Sequence, residues 1–170
     1  MKKEASFTVS IQPKTVFIIR SCKTEIEPKA FSQECESLVG LTKYKKPAKR
    51  EEAPEKADCL TVVSYLFKKT QALDIPLDWI GNMPRLLVEK GWQIEKIQRR
   101  SLKMGDLIFL GKRNNQIDHL AVALSAEKVF HVSWKTKGAA IEKIETLFSR
   151  YVQPKEIGLF LSSVDPRSVS

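Results

Sequence analysis

The sequence predicts an α+β fold built around a single core, on three observations. The first half carries helical periodicity, clearest over residues 58–71, where Cys59, Val63, Leu66 and Phe67 share one face. From Trp92 onward the apolar period changes to two, as an antiparallel sheet requires. The length, 170 residues with 42% apolar content, suits one domain. Helices followed by a meander of strands define the α+β class.

Two β-prone runs come first, FTVSIQ and TVFIIRS, divided by Pro13-Lys14; they read as a hairpin or as two edge strands. A helix over 29–39 follows Pro28 and stops at Gly40, with Phe31, Cys35, Leu38 and Val39 at helical spacing. Residues 41–57, rich in charge and broken by Pro47 and Pro54, read as loop. The helix over 58–71 ends with Lys68 and Lys69, where the helix dipole favours cations. Another helix is expected at about 82–90, closed by Gly91. The runs WQIEKIQ, GDLIFLG, HLAVAL and KVFHVS read as successive strands. A helix near 142–151 and a strand at 157–161 complete the set. Residues 1–28 are expected to be a β-prone extension packed on the domain, 29–162 the domain itself, and 163–170 a polar tail.

Composition narrows the function classes. No apolar run approaches the roughly 18 residues of a membrane span. Met1-Lys2-Lys3 imitates a signal-peptide start, but polar residues and Pro13 interrupt the stretch after it, so the default location is the cytoplasm. Three cysteines without a C-x-x-C pair argue against a disulfide framework or a zinc site. Cys22 and Cys35 read as core residues. The net charge of +9 favours acidic partners over cationic ones. Its densest stretch, Lys43 to Arg50, is followed at once by Glu51 and Glu52 and reads as a solvated loop or a polyanion-attracting surface.

Chemistry concentrates in Cys59, His119 and His131, the last two being the only histidines of the chain. A thiol in the first turn of a helix meets unpaired N–H groups and the positive dipole end, which lower its pKa. A facing imidazole then completes a thiolate–imidazolium pair, and a third polar group orients that ring. His119 shares a strand face with Ala121 and Ala123, small residues that leave room for another element. His131 shares a face with Val129 and Ser133. The two histidines project from one face only if the connection has an odd count, such as Ser125-Ala126-Glu127, or carries a bulge. A four-residue loop would send His131 to the opposite face. Asp106, in a Gly-Asp turn, reads as a turn former, and Asp118 points away from His119 by strand alternation. Trp79, Trp92 and Trp134 read as core, with Trp134 alternatively walling a cleft.

These pieces resemble the NlpC-type cell-wall peptidases, a papain-like cysteine peptidase family. The matching segments are Asp58-Cys59-Leu60-Thr61 at a helix start, Leu102-Lys103-Met104-Gly105-Asp106-Leu107 before a strand, His119-Leu120-Ala121-Val122, and Phe130-His131-Val132-Ser133. The similarity covers about residues 30–162. It implies a papain-like fold in which the helix bearing Cys59 packs on the sheet bearing the histidines. It further implies Cys59 as nucleophile, His119 as general base and then acid, His131 as the orienting third residue, and Tyr44 beside the oxyanion site. Asp58 is implied as an amine contact. Leu60 replaces the family serine, Thr61 the glycine, Met104 the proline, and Lys45-Lys46-Pro47 the usual Trp-Gly-Gly.

The activity implied is hydrolysis of peptidoglycan stem peptides between D-glutamate and the diamino acid, through a thioacyl-enzyme, with no metal or organic cofactor. The partner expected is therefore a peptidoglycan-derived peptide, with no obligate nucleic acid and no membrane span; the oligomeric state is left open. Without a signal peptide, access to that substrate calls for muropeptide recycling or non-classical export. Two alternatives stand beside this one: an acyltransferase or amidase acting on another substrate, and a lapsed enzyme that binds cell-wall fragments or polyanions.

Overall fold

The computed structural model describes residues 15–20, 26–95, 102–112 and 116–151. Among these, the elements run β1 (Thr15–Arg20), α1 (Pro28–Leu38), β2 (Lys43–Tyr44), β3 (Lys56–Ala57), α2 (Cys59–Gln71), α3 (Met83–Glu89), β4 (Gln93–Glu95), β5 (Leu107–Gly111), β6 (His119–Ala123), β7 (Lys128–Ser133), β8 (Gly138–Lys143) and α4 (Ile144–Phe148). The strands form one curled sheet in the order β3-β2-β8-β7-β6-β5-β1-β4. Its pairings are antiparallel except for the short parallel contact of β2 with β3.

The sheet is covered on both faces, so β5 and β6 are buried at every position. On one face Leu107, Phe109, Leu120, Val122, Phe130 and Val132 pack against the three larger helices, which contribute Phe31, Val62, Val63, Leu66, Phe67, Met83 and Leu87. Phe67 sits at the centre of this layer, edge-on to Phe31 at 5.3 Å and to Trp92 at 5.8 Å. On the other face Ile18, Ile108, Leu110, Ala121, Ala123 and Val129 pack against Ile144, Leu147 and Phe148 of α4. The element for which Ala121 and Ala123 leave room is thus α4.

Several elements differ from the sequence reading. The run at Thr15–Arg20 is neither an edge strand nor, among the described residues, half of a hairpin. It lies inside the sheet between β5 and β4. Arg20 fastens it there with a two-pronged ion pair to Asp106, at 2.8 and 2.6 Å. Asp106 therefore does more than shape its turn, although it also accepts the Lys103 N–H at 2.8 Å. The charged stretch 41–57 contains β2 and β3. The helix expected near 142–151 is a strand up to Lys143 and a helix only over Ile144–Phe148. Its amphipathic spacing loses to pairing with β7, which runs from Lys128↔Lys143 to Ser133↔Gly138. The runs FTVSIQ and IGLFL and the residue Cys22 lie outside the described residues, as do the last three residues of WQIEKIQ. Trp92 is core, whereas Trp79 and Trp134 are exposed.

Gly138 marks the tightest backbone approach in the sheet. A Cβ at this position would stand 2.2 Å from the Thr42 carbonyl oxygen, at the junction of β8 with the segment leading into β2. Backbone cannot yield as a side-chain tip can, so Gly138→Ala is expected to displace β2. The expected cost is about 1–3 kcal/mol, the usual range for overpacking, read from the urea midpoint of unfolding.

Candidate active site

Helix α2 starts at Cys59 because Asp58 caps it. Asp58 Oδ1 accepts the N–H groups of Leu60 (3.0 Å) and Thr61 (2.9 Å), while Thr61 Oγ1 accepts the Asp58 N–H at 2.9 Å. This is a reciprocal capping box, and Thr61 is its second half. Asp58 Oδ2 accepts the Ala48 N–H at 3.0 Å and so ties the Tyr44–Ala48 segment to the helix start. An amine seeking Asp58 would have to share the Oδ2 edge with that bond. The cap engages Leu60 and Thr61 but not the N–H of Cys59, which stays beside its own sulfur.

Cys59 is half-buried. Its sulfur lies against the start of β6, where the Leu120 N–H donates towards it, one residue from His119. Burial pushes the thiol up to about 12, and the adjacent Asp58 charge adds to this. The Leu120 and Cys59 N–H groups and the Lys46 ammonium pull the other way without overcoming them. Burial and the Asp58 charge thus oppose the acidifying effect expected of the helix N-terminus.

Both histidines are buried, with 5% and 1% of their surface exposed. Leu124 continues the β6–β7 register opposite Lys128, its N–H donating to the Lys128 carbonyl at 2.9 Å, so the connection proper is the three residues 125–127. The odd count keeps both rings on one face, and His119 Nε2 meets His131 Nδ1 at 2.9 Å. Burial, then the neighbouring His131 and Arg150, push His119 down to about 3. Burial likewise lowers His131, against the upward pull of a carboxylate.

That carboxylate is Glu142 of β8, which sequence reasoning placed on a helix and did not single out. Its Oε2 lies 2.5 Å from His131 Nε2. Arg150 clamps the same carboxylate from two sides, at 2.8 and 2.6 Å, and holds it well below the usual carboxylate range, at about 2. Tyr151 stacks on His119 with ring centroids 5.8 Å apart and planes 11° from parallel. Burial and the nearby Cys59 raise its hydroxyl above the ordinary phenol range. The Asp58–Thr61 capping box, which the sequence reading did not single out, has a local signal in its spacing. Glu142, Arg150 and Tyr151 carry no signal without the β7–β8 pairing.

Cys59, His119, His131 and Tyr44 open onto one cleft of about 630 Å³, with Lys46, Lys112, Lys135 and Arg150 among its walls. Trp134 is part of the wall as well. A second cavity of about 540 Å³ meets the first at Cys59, Asp58, Lys46 and Asp118. It is mainly apolar, lined by Pro47, Leu60, Leu77, Trp79 and Ile80. Among the described residues no cluster of His, Cys, Asp or Glu has the arrangement of a metal site, and no helix is long and apolar enough to cross a membrane.

A cysteine at a helix start beside a sheet-borne histidine pair, on a mixed α+β scaffold, is the architecture of papain-like cysteine peptidases. The sequence model of the NlpC/P60 family matches residues 43–158, and the chain belongs to that family of cysteine peptidases. Among solved structures, the fold is similar to the NlpC/p60 domain of the peptidoglycan hydrolase SagA. That similarity has a TM-score of 0.53 and 20% identity, covering 71% of this chain and 92% of that one. No curated protein matches significantly by sequence.

The buried imidazoles link the site to acid stability. In the fold His119 is held down to about 3, whereas the unfolded chain takes up that proton near 6.5. His131 and Glu142 are shifted in the same downward direction. The unfolded state therefore binds more protons below neutrality, and stability should fall as pH drops from 6.5 towards 3. The melting temperature followed across that range tests this. In proton NMR, the His119 imidazole resonances should stay at their neutral positions between about pH 5 and 8, the window where ordinary histidines titrate.

Proposed function

We propose that the protein is a cysteine endopeptidase that hydrolyses peptidoglycan stem peptides at the D-glutamyl–diamino acid bond, using Cys59, His119 and His131. The observation that carries this reading is the shared cleft of Cys59 and the hydrogen-bonded histidine pair in a chain of the NlpC/P60 family. SagA, whose domain has the similar fold, is a peptidoglycan hydrolase.

With its thiol raised and its imidazole lowered, the resting site holds a neutral pair. Proton transfer then accompanies attack. His119 takes the proton from Sγ as the Cys59 sulfur adds to the carbonyl carbon. The oxyanion that forms is met by the Cys59 N–H, which the helix cap leaves unused, and by Tyr44 from β2. Collapse expels the amine, which receives the proton from His119. Water, deprotonated by the same ring, then releases the acid from the thioester and regenerates the thiol.

Lysines and Arg150 on the cleft walls suit a substrate rich in carboxylates. Lys46 stands where its charge acts on both Cys59 and His119. The apolar cavity beyond Cys59 favours a second reading, an amidase whose acyl portion is apolar, with Leu60 in place of a hydrogen-bonding serine.

Mass spectrometry of stem tripeptides and tetrapeptides incubated with the reduced protein separates these readings. Cleavage after D-glutamate that vanishes in Cys59→Ala is the expected result; intact peptides alongside cleaved N-acyl amino acids would favour the amidase. His119→Ala should lower kcat by about 10²- to 10⁴-fold, the range for loss of a general base. Tyr44→Phe should lower it by about 10²-fold, as for an oxyanion donor.

A further inference from the structure

We propose that Glu142 and Arg150 are positioning residues: the carboxylate, oriented by the guanidinium, sets the tautomers of both histidines in series and leaves the unprotonated Nδ1 of His119 for the Cys59 thiol. This rests on the reading of Cys59 and His119 as nucleophile and base.

Donors and acceptors must alternate from Arg150 to His119. A guanidinium only donates, and an ionised carboxylate only accepts. Arg150 faces Glu142 through two nitrogens, so Glu142 is the ionised acceptor for both it and His131. His131 must then carry its proton on Nε2, the nitrogen facing Glu142. Burial disfavours an imidazolium at His131, and in the neutral ring a protonated Nε2 leaves the lone pair on Nδ1, so His131 Nδ1 accepts from His119 Nε2. His119 is thereby protonated on Nε2 as well, and its remaining nitrogen, Nδ1, carries the lone pair. Reversing the proton on any one ring would set donor against donor, or lone pair against lone pair, at one or both of the two contacts. With both rings buried, such a mismatch is costly.

The arrangement extends the usual logic of an orienting third residue by one step. His131 by itself is ambiguous, since an imidazole offers either a donor or an acceptor to its neighbour. Glu142 removes that ambiguity, and Arg150 prevents the carboxylate from turning or taking up a proton. Glu142 sits on β8 opposite Val129, and Arg150 lies just past the end of α4, so the clamp depends on the strand-then-helix course of residues 138–148.

The test is long-range proton–nitrogen NMR on uniformly ¹⁵N-labelled, reduced full-length protein, which reads the tautomer of each imidazole directly. With two histidines in the chain, His131→Asn suffices to assign the signals. Both rings should be in the Nε2–H form. Glu142→Leu should move the rings towards the Nδ1–H form, because it removes the acceptor that holds the His131 proton on Nε2. Its kcat on cleavable peptide should fall about 10- to 100-fold with KM little changed, as for loss of a group that orients a catalytic ligand. Arg150→Gln should give the same direction with a smaller loss. Nδ1–H at His119 in the wild-type protein would overturn the proposal without any variant having to fold. So would unchanged tautomers and unchanged kcat in Glu142→Leu. Because the tautomers are read without substrate, Nε2–H rings in a protein that leaves stem peptides intact would support the relay and sink only the assigned substrate.

Discussion

The hydrogen bond from His119 to His131 exists because two neighbouring strands are in phase. Strand side chains alternate between faces, so each residue added to the β6–β7 connection reverses the face on which His131 appears. Three residues there keep both rings together, with Ala123 opposite Val129 and Val122 opposite Phe130. The same phase puts Leu120, Val122, Phe130 and Val132 under the large helices, and Ala121, Ala123 and Val129 under α4. Site geometry and core packing are therefore set by one choice of register, and neither can slip without the other.

Burial is the second organising influence. It makes the fold compact on both sides of the sheet, and it also suppresses charge at Cys59 and both histidines. Glu142, the ionised group that touches His131 among the described residues, is kept so by Arg150. The basic walls of the cleft and its apolar neighbour meet at Cys59, so the thiol stands at a boundary between two kinds of surface.

Legibility in the sequence followed how local each feature is. Helix α2 was readable because its apolar face and its terminal lysines all lie within fourteen residues. Strands β5, β6 and β7 were readable from alternation. Strand β8 was not: Gly138-Ala139-Ala140 has little strand propensity, and the following IEKIETLF fits a helical stripe, yet pairing with β7 extends it through Lys143. The interior place of β1 was equally hidden, since FIIR reads the same at an edge as between β5 and β4, and its anchor Asp106 lies 86 residues away.

By itself, the sequence determined the α+β class, the helix start at Cys59, and the condition under which the two histidines meet, because all three depend on spacing along a short stretch of chain. Only the tertiary structure decided how far burial raises the thiol, since desolvation depends on how many atoms exclude water around the sulfur and not on its position in a helix. The tertiary structure alone also brought Glu142 and Arg150 to His131. Their contact crosses the β7–β8 pairing and the turn into α4, and long-range pairing leaves no periodic trace in either segment.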